Sequence, residues 1–248
     1  MVRIYTPREI ARIKDSGKLL RETFEYIKRY IEPGITTKKL DSMVYKYLTK
    51  KGGYPAFLGF DGYPASICVS INDEVIHGMP DQQKTLKQGD IVSLDIGVRY
   101  KGFISDSAYT FPVGKISADA EKLIKVTYNA LYKGIQQAVS GNRIGDIGHA
   151  IESYVKDFSY SVVTAFVGHG VGEQLHEDPA VPNYGKPHTG IRLKKGMVLA
   201  IEPMINSGTA DVILHENGWT ALTADHKLSA HFEHTVAVQD QQAEILTI

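Results

Sequence analysis

The chain has 248 residues, 43% of them hydrophobic and 23% charged, with 28 basic side chains against 28 acidic ones. That balance removes the electrostatic case for nucleic acid or an anionic membrane as main partner, and no run approaches the roughly 18 apolar residues of a membrane helix. A single cysteine, Cys68, excludes an intrachain disulfide, and the opening MVRIYTPREIARIK lacks the apolar core of a signal peptide, so a cytoplasmic location is expected.

Thr6-Pro7-Arg8-Glu9 reads as a capping box with proline at the first helical position. Ile10, Ile13, Gly17, Leu20, Phe24, Ile27 and Ile31 follow at steps of three and four, the stripe of one helix face, and Pro33-Gly34 ends it. A second helix is predicted from about Thr37, through Leu40, Val44, Tyr47 and Leu48, to Gly52-Gly53. Strand-like runs follow at 66–71, 91–98 and 103–111, then helices at about 117–139 and 145–157. Further strands are predicted near 197–202, 219–223, 231–239 and 243–247, with no low-complexity linker.

The chain repeats itself. LKQGDIVSLD, Leu86–Asp95, aligns with LKKGMVLAIE, Leu193–Glu202, at an offset of 107 residues. Gly34 and Gly141 stand at the same offset, as do Leu40 with Ile147, Val44 with Ile151 and Tyr47 with Tyr154. AFLG before His77-Gly-Met-Pro echoes AFVG before His176-Glu-Asp-Pro. These matches predict one α+β domain over 1–248, made of two related halves, about 1–115 and 116–248.

Two aspartates interrupt apolar runs: Asp95 in IVSLDI and Asp106 in FISDSAY. A carboxylate is costly in such a place unless it is paired or taken up by a metal. A two-residue turn on 100–101 sets the two opposite each other, and one on 101–102 makes them diagonal; both share a face, whereas a three-residue loop changes the parity. By the repeat, Glu202 matches Asp95, and Glu233 is expected on the return strand as Asp106 is. Four converging carboxylates exceed what one hydrolytic zinc uses and suit a pair of divalent ions. His169, between glycines in VGHGVG, is the expected nitrogen ligand.

Asp95, Asp106, His169 in GHGVG, Glu202 in AIEP and Glu233 in FEHT resemble the five metal ligands of the methionine aminopeptidases, in the order and spacing of the bacterial type I enzymes. The resemblance spans nearly the whole chain. It implies the pita-bread fold, a pseudo-twofold antiparallel sheet with helices on its outer face. It further implies removal of the initiator methionine from nascent chains when the second residue is small, by a water or hydroxide bridging two metals. The 30 residues between Glu202 and Glu233 leave no room for the type II helical insertion. No N-terminal extension of the zinc-finger or SH3-binding kind is seen, so the minimal type I form is expected. Asp95 resembles the bidentate ligand of one metal and His169 a ligand of the other. Asp106 and Glu233 resemble the bridging pair. Glu202 resembles a ligand that also serves as general base. His176 resembles the histidine bonding the substrate carbonyl, and His77 the one facing the scissile amide. Phe60, Tyr63, Cys68, Leu175 and Trp219 resemble the lining of the methionine pocket. Leu175 stands where many relatives have phenylalanine, and Phe57 where some have cysteine.

The metals implied are Co, Mn, Fe or Zn, a choice that oxygen and nitrogen donors leave open. The implied partners are methionyl peptides of nascent chains and a transient contact with the ribosome, with no nucleic-acid requirement, no membrane and a monomeric enzyme. Rival readings are a prolidase or aminopeptidase P, which usually carries a large extra N-terminal domain, and a non-catalytic binding protein of the same fold. Retention of all five ligands argues against the second. His149, His188, His215, His226, His231 and His234 are read as structural, with His231 or His234 able to support a ligand. Asp73-Glu74 is expected in a solvated turn and Lys194-Lys195 at the surface.

Overall fold

The first helix begins where its capping box predicts. The Thr6 hydroxyl accepts the Glu9 N–H, the Glu9 carboxylate accepts the Thr6 N–H, and Pro7 needs no partner. The computed structural model describes residues 2–248. Its elements are α1 (Pro7–Ile27), α2 (Thr37–Lys50), β1 (Tyr54–Pro55), β2 (Cys68–Ile71), β3 (Glu74–Ile76), β4 (Ile91–Tyr100) and β5 (Phe103–Pro112). Then come α3 (Ala118–Ile135), α4 (Ile144–Lys156), β6 (Ser161–Val162), β7 (Gly168–Gly170), β8 (Glu177–Val181), β9 (Val198–Ile201) and β10 (Met204–Asn206). The chain closes with β11 (Val212–Leu214), β12 (Ala221–Thr223), β13 (Ser229–His231), β14 (His234–Ala237) and β15 (Glu244–Ile245).

Helices cover sheets in pairs. The apolar stripes of α1 and α2 pack on β2 and β4 through Leu20, Leu40, Leu48, Val69 and Leu94. Those of α3 and α4 pack on the later strands through Leu123, Leu131, Ile147, Ile151, Leu199 and Val236. A third cluster, with Phe57, Tyr63, Cys68, Val171 and Leu175, lies between the two sheets. The 107-residue offset recurs in the backbone bonds. Gly34 N–H reaches the Leu86 carbonyl at 2.8 Å, and Gly141 N–H the Leu193 carbonyl at 3.0 Å. Both glycines hold positive φ, 98° and 100°, which favours glycine over any residue with a Cβ. Thr36 bridges Thr85 as Arg143 bridges Arg192.

The β4–β5 hairpin turns on Lys101-Gly102. Both residues have positive φ, 49° and 87°, as a tight two-residue hairpin turn requires. Asp95 therefore pairs with Ala108 and Asp106 with Gly97, and the aspartates are diagonal neighbours on one face.

The later strands depart from expectation. The continuous strand predicted over 231–239 is two strands, β13 and β14, and Glu233 falls in the break rather than on a strand. The facing chain breaks at the same level: β9 ends at Ile201 and β10 starts at Met204. Pro203 has no N–H for the ladder, so the pairing lapses there while its carbonyl accepts the Phe232 N–H at 3.4 Å. Asp73-Glu74 is also more than a solvated turn. Glu74 opens β3, accepts the Ile71 N–H at 2.7 Å and pairs with a half-buried Lys84, while Asp73 meets His226.

Candidate metal centre

Each carboxylate is set by its backbone. Asp95 lies in β4, flanked by Cys68 on β2 and Ala108 on β5. Asp106 is tied across the molecule to Thr235, whose hydroxyl accepts the Asp106 N–H at 2.9 Å and donates to the Asp106 carbonyl at 2.8 Å. Glu233 is held by its own N–H on the Ala108 carbonyl at 2.9 Å and by the Ser107 hydroxyl on its carbonyl at 2.6 Å. Glu202 and Glu233 sit at the shared strand break, where neither side chain has to follow the pleat.

His169 is the middle residue of β7 and pairs with Ala200. Its neighbours must be glycine: a Cβ on Gly168 would run into the Ala200 carbonyl, and one on Gly170 into the Asp178 carbonyl. The His169 Nδ1 lies 2.9 Å from the Gly170 carbonyl, a contact that places the proton there and leaves Nε2 as the lone-pair nitrogen. That Nε2 is 3.4 Å from Glu202 Oε1. Ligating atoms of Asp106, His169 and Glu233 all lie within 4.8 Å of one another.

Burial dominates the electrostatics. Asp106 and Glu233 are only 3% and 2% exposed. Burial first, then the neighbouring carboxylates, raises the pKa of Asp95, Glu202 and Glu233 well above the ordinary range, and burial raises Asp106 to about 7. Burial, reinforced by His176, lowers His169 to about 3, which keeps its imidazole neutral. Asp95 Oδ1 and Glu233 Oε1 have no hydrogen-bond partner among the described residues. Crowded carboxylates with orphaned oxygens beside a neutral imidazole fit divalent cations: hard oxygen donors with one nitrogen, the charge repulsion relieved by the ion.

All twelve residues singled out in the sequence line one cavity of about 460 Å³. The acidic cluster forms one part of its wall, with Phe60, Tyr63, Cys68, Leu175 and Trp219 supplying apolar and aromatic surface. Tyr63 meets Trp219 edge-on at 5.1 Å, and Phe60 meets His176 edge-on at 4.9 Å. Tyr63 is anchored by its hydroxyl on the carbonyls of Ile67 and Gly78. Burial pushes the Cys68 thiol up and keeps it protonated, so it is an apolar wall rather than a nucleophile. His176 lies against the His169 ring, centroids 4.2 Å apart and planes inclined by 60°. His77 holds a left-handed backbone, φ 55°, and burial followed by the nearby His176 lowers its pKa to about 4.

Two participants lacked a sequence signal. Ile76 and Phe166 add to the apolar wall, and Phe166 lies edge-on to His77 at 5.7 Å. Of the two histidines flanking Glu233, either of which could support a ligand, His231 is the one that does: it is buried with its Nε2 3.7 Å from Glu202 Oε2. His234 instead faces away, toward Thr247 at 2.8 Å and Tyr109.

The sequence pattern of metallopeptidase family M24 matches residues 11–240. Methionine aminopeptidase 1 of Bacillus subtilis is 49% identical over 247 residues, covering 100% of this chain and 99% of that protein. The crystal structure of methionine aminopeptidase from Rickettsia prowazekii superposes with a TM-score of 0.98 at 42% identity, over the full length of both chains. The prolidase from Pyrococcus furiosus shares the fold at a TM-score of 0.80 but only 22% identity, and this chain spans 65% of its length. The architecture is the α+β pita-bread fold, and the chain belongs to metallopeptidase family M24 and, within it, to the methionine aminopeptidases.

Proposed function

We propose that this chain removes the initiator methionine from nascent polypeptides whose second residue is small. The observation that carries the reading is the placement of four carboxylates and His169 beside an aromatic, apolar recess in one cavity. Two divalent ions, Co, Mn, Fe or Zn, would be held by Asp95, Asp106, His169, Glu202 and Glu233. Asp106 and Glu233 would be shared between the ions, with Asp95 holding one and His169 the other. When bound, such ions lower the pKa of water and polarise a carbonyl.

The protein's own groups supply the rest. Glu202 accepts the proton of the attacking water and passes it to the leaving amine, a task suited to a carboxylate whose proton affinity burial has raised. His176 donates a hydrogen bond to the substrate carbonyl as negative charge develops on its oxygen. His77, on the facing wall, meets the scissile amide. Phe60, Tyr63, Cys68, Leu175 and Trp219 enclose the methionine side chain, whose polarizable thioether suits an aromatic wall. Leu175 replaces a ring with a smaller side chain at 3% exposure and so shapes the pocket's width.

The halves 1–115 and 116–248 form one catalytic domain, a division supported by the paired Gly34 and Gly141 turns and their matching bonds. The enzyme works as a cytoplasmic monomer of the type I kind that meets its substrates in transient contact with the ribosome. Among the described residues no helix is long and apolar enough to cross a membrane. Protein loaded separately with each metal should release methionine from Met-Ala-Ser, leave Gly-Pro substrates uncut and carry two ions per chain. Cleavage of Gly-Pro instead would transfer the protein to the X–Pro peptidases, and cleavage of neither substrate would make it a binding module.

A further inference from the structure

The residues before α1 touch the cavity wall from behind. Tyr5 is 3% exposed, and its hydroxyl is fully engaged. It accepts the Glu173 N–H at 2.9 Å and donates to the Glu177 carboxylate, whose two oxygens lie at 2.7 and 2.8 Å. Glu177 in turn accepts the Gln174 N–H at 2.8 Å. The segment closed by these bonds, 172–177, contains Leu175 and His176. Its first residue is held on the other side, where the Ile104 N–H meets the Gly172 carbonyl at 2.6 Å. Gly172 has to be glycine, because a Cβ there would collide with the Tyr5 ring and hydroxyl. Tyr5 is itself fixed: its N–H meets the Gly196 carbonyl at 2.8 Å, its ring packs edge-on against Phe103 at 6.4 Å, and Arg3 lies 4.6 Å above it. Arg3 also pairs with Glu173 and, at 3.0 Å, with Glu9 at the start of α1.

We infer that Tyr5 is a positioning residue for the methionine pocket: its hydroxyl clasps the 172–177 segment so that Leu175 and His176 face the substrate. The inference rests on the proposed peptidase activity. The loop has no helix or long strand to stiffen it, and a buried hydroxyl with both its roles filled supplies what the local sequence does not. Tyr5 touches no substrate; it acts through the amide of Glu173 and the carboxylate of Glu177. A loosened wall weakens capture of the methionine side chain more than it slows the chemistry, which separates this role from that of the acidic cluster.

The test uses the metal-loaded full chain with Tyr5→Phe, which keeps the ring and removes the hydroxyl. Hydrogen exchange at the Glu173 and Gln174 amides should accelerate while β4 and β5 amides stay protected. KM for Met-Ala-Ser should rise about tenfold, the size expected for one lost hydrogen bond to a charged acceptor, while kcat falls by less than that as His176 loses part of its aim. If Tyr5→Phe does not fold, Glu177→Gln carries the same expectations with the ring untouched. Wild-type protein that releases no methionine overturns the peptidase reading itself. Normal wild-type turnover beside a variant KM within about twofold of it, or unchanged exchange at both amides, overturns the positioning role alone.

Discussion

Glu202 has an imidazole on each oxygen: His169 Nε2 lies 3.4 Å from Oε1 and His231 Nε2 3.7 Å from Oε2. A carboxylate so placed is a ligand and a proton carrier at once. Glu202→Ala should lower kcat by about a thousandfold or more, within the range of a lost general base compounded by a lost ligand, while the circular dichroism spectrum stays unchanged. A variant that keeps most of its kcat would remove Glu202 from the proton path. At this scale the sequence is legible where chemistry restricts residue type. Only carboxylates between apolar neighbours demand an explanation, so Asp95 and Asp106 announce themselves. His231 does not: a histidine beside a ligand looks the same whether it faces the centre or the core. Its position depends on Thr110, 121 residues away, whose hydroxyl bonds both its N–H and its carbonyl at 2.9 Å.

Among the elements, the β4–β5 hairpin carries the largest electrostatic burden, since Asp95 and Asp106 lie diagonally on one buried face. With the ions chelated, its amides should gain more hydrogen exchange than those of α1 to α4, because repulsion is left unrelieved where the carboxylates are built in. Faster exchange in the helices than in the hairpin would place the strain elsewhere. The helices were legible from their caps and stripes, to within a few residues at their ends. The hairpin was legible except for its turn, because Tyr100-Lys101 and Lys101-Gly102 both suit a two-residue loop. The positive φ at Lys101 and Gly102 decides it. The break at Glu202-Pro203 could have been foreseen, since a proline in a central strand removes a ladder donor. The split of 231–239 could not, because nothing in HFEHTVAV marks the residue opposite that proline. Short strands such as β3 and β10 left no periodic trace in the sequence, three residues being too few to set a pattern.

Across the whole molecule, two sets of buried groups titrate against each other. A carboxyl whose pKa is higher folded than unfolded binds its proton more tightly in the fold, so metal-free protein gains stability as pH falls toward the unfolded value. Asp106 does so from about 7 toward 3.8. The imidazoles run the other way. His169 at about 3 and His77 at about 4 lie below their ordinary 6.5, so they cost stability once pH drops past that point. Above it the carboxylates act alone. The Tm of chelated protein should therefore rise as pH is lowered from about 8.5 to about 6.5, and a Tm that does not rise over that window would show that the cluster stays ionised without metal. The bonds that close the centre, Asp106 to Thr235 and Ser107 to Glu233, join positions 129 and 126 residues apart. Contacts so distant along the chain are among the slowest to form. During synthesis, a growing chain therefore has no complete centre until Glu233 has left the ribosome, and divalent ions in the cell meet the first half's aspartates well before the second half's glutamates.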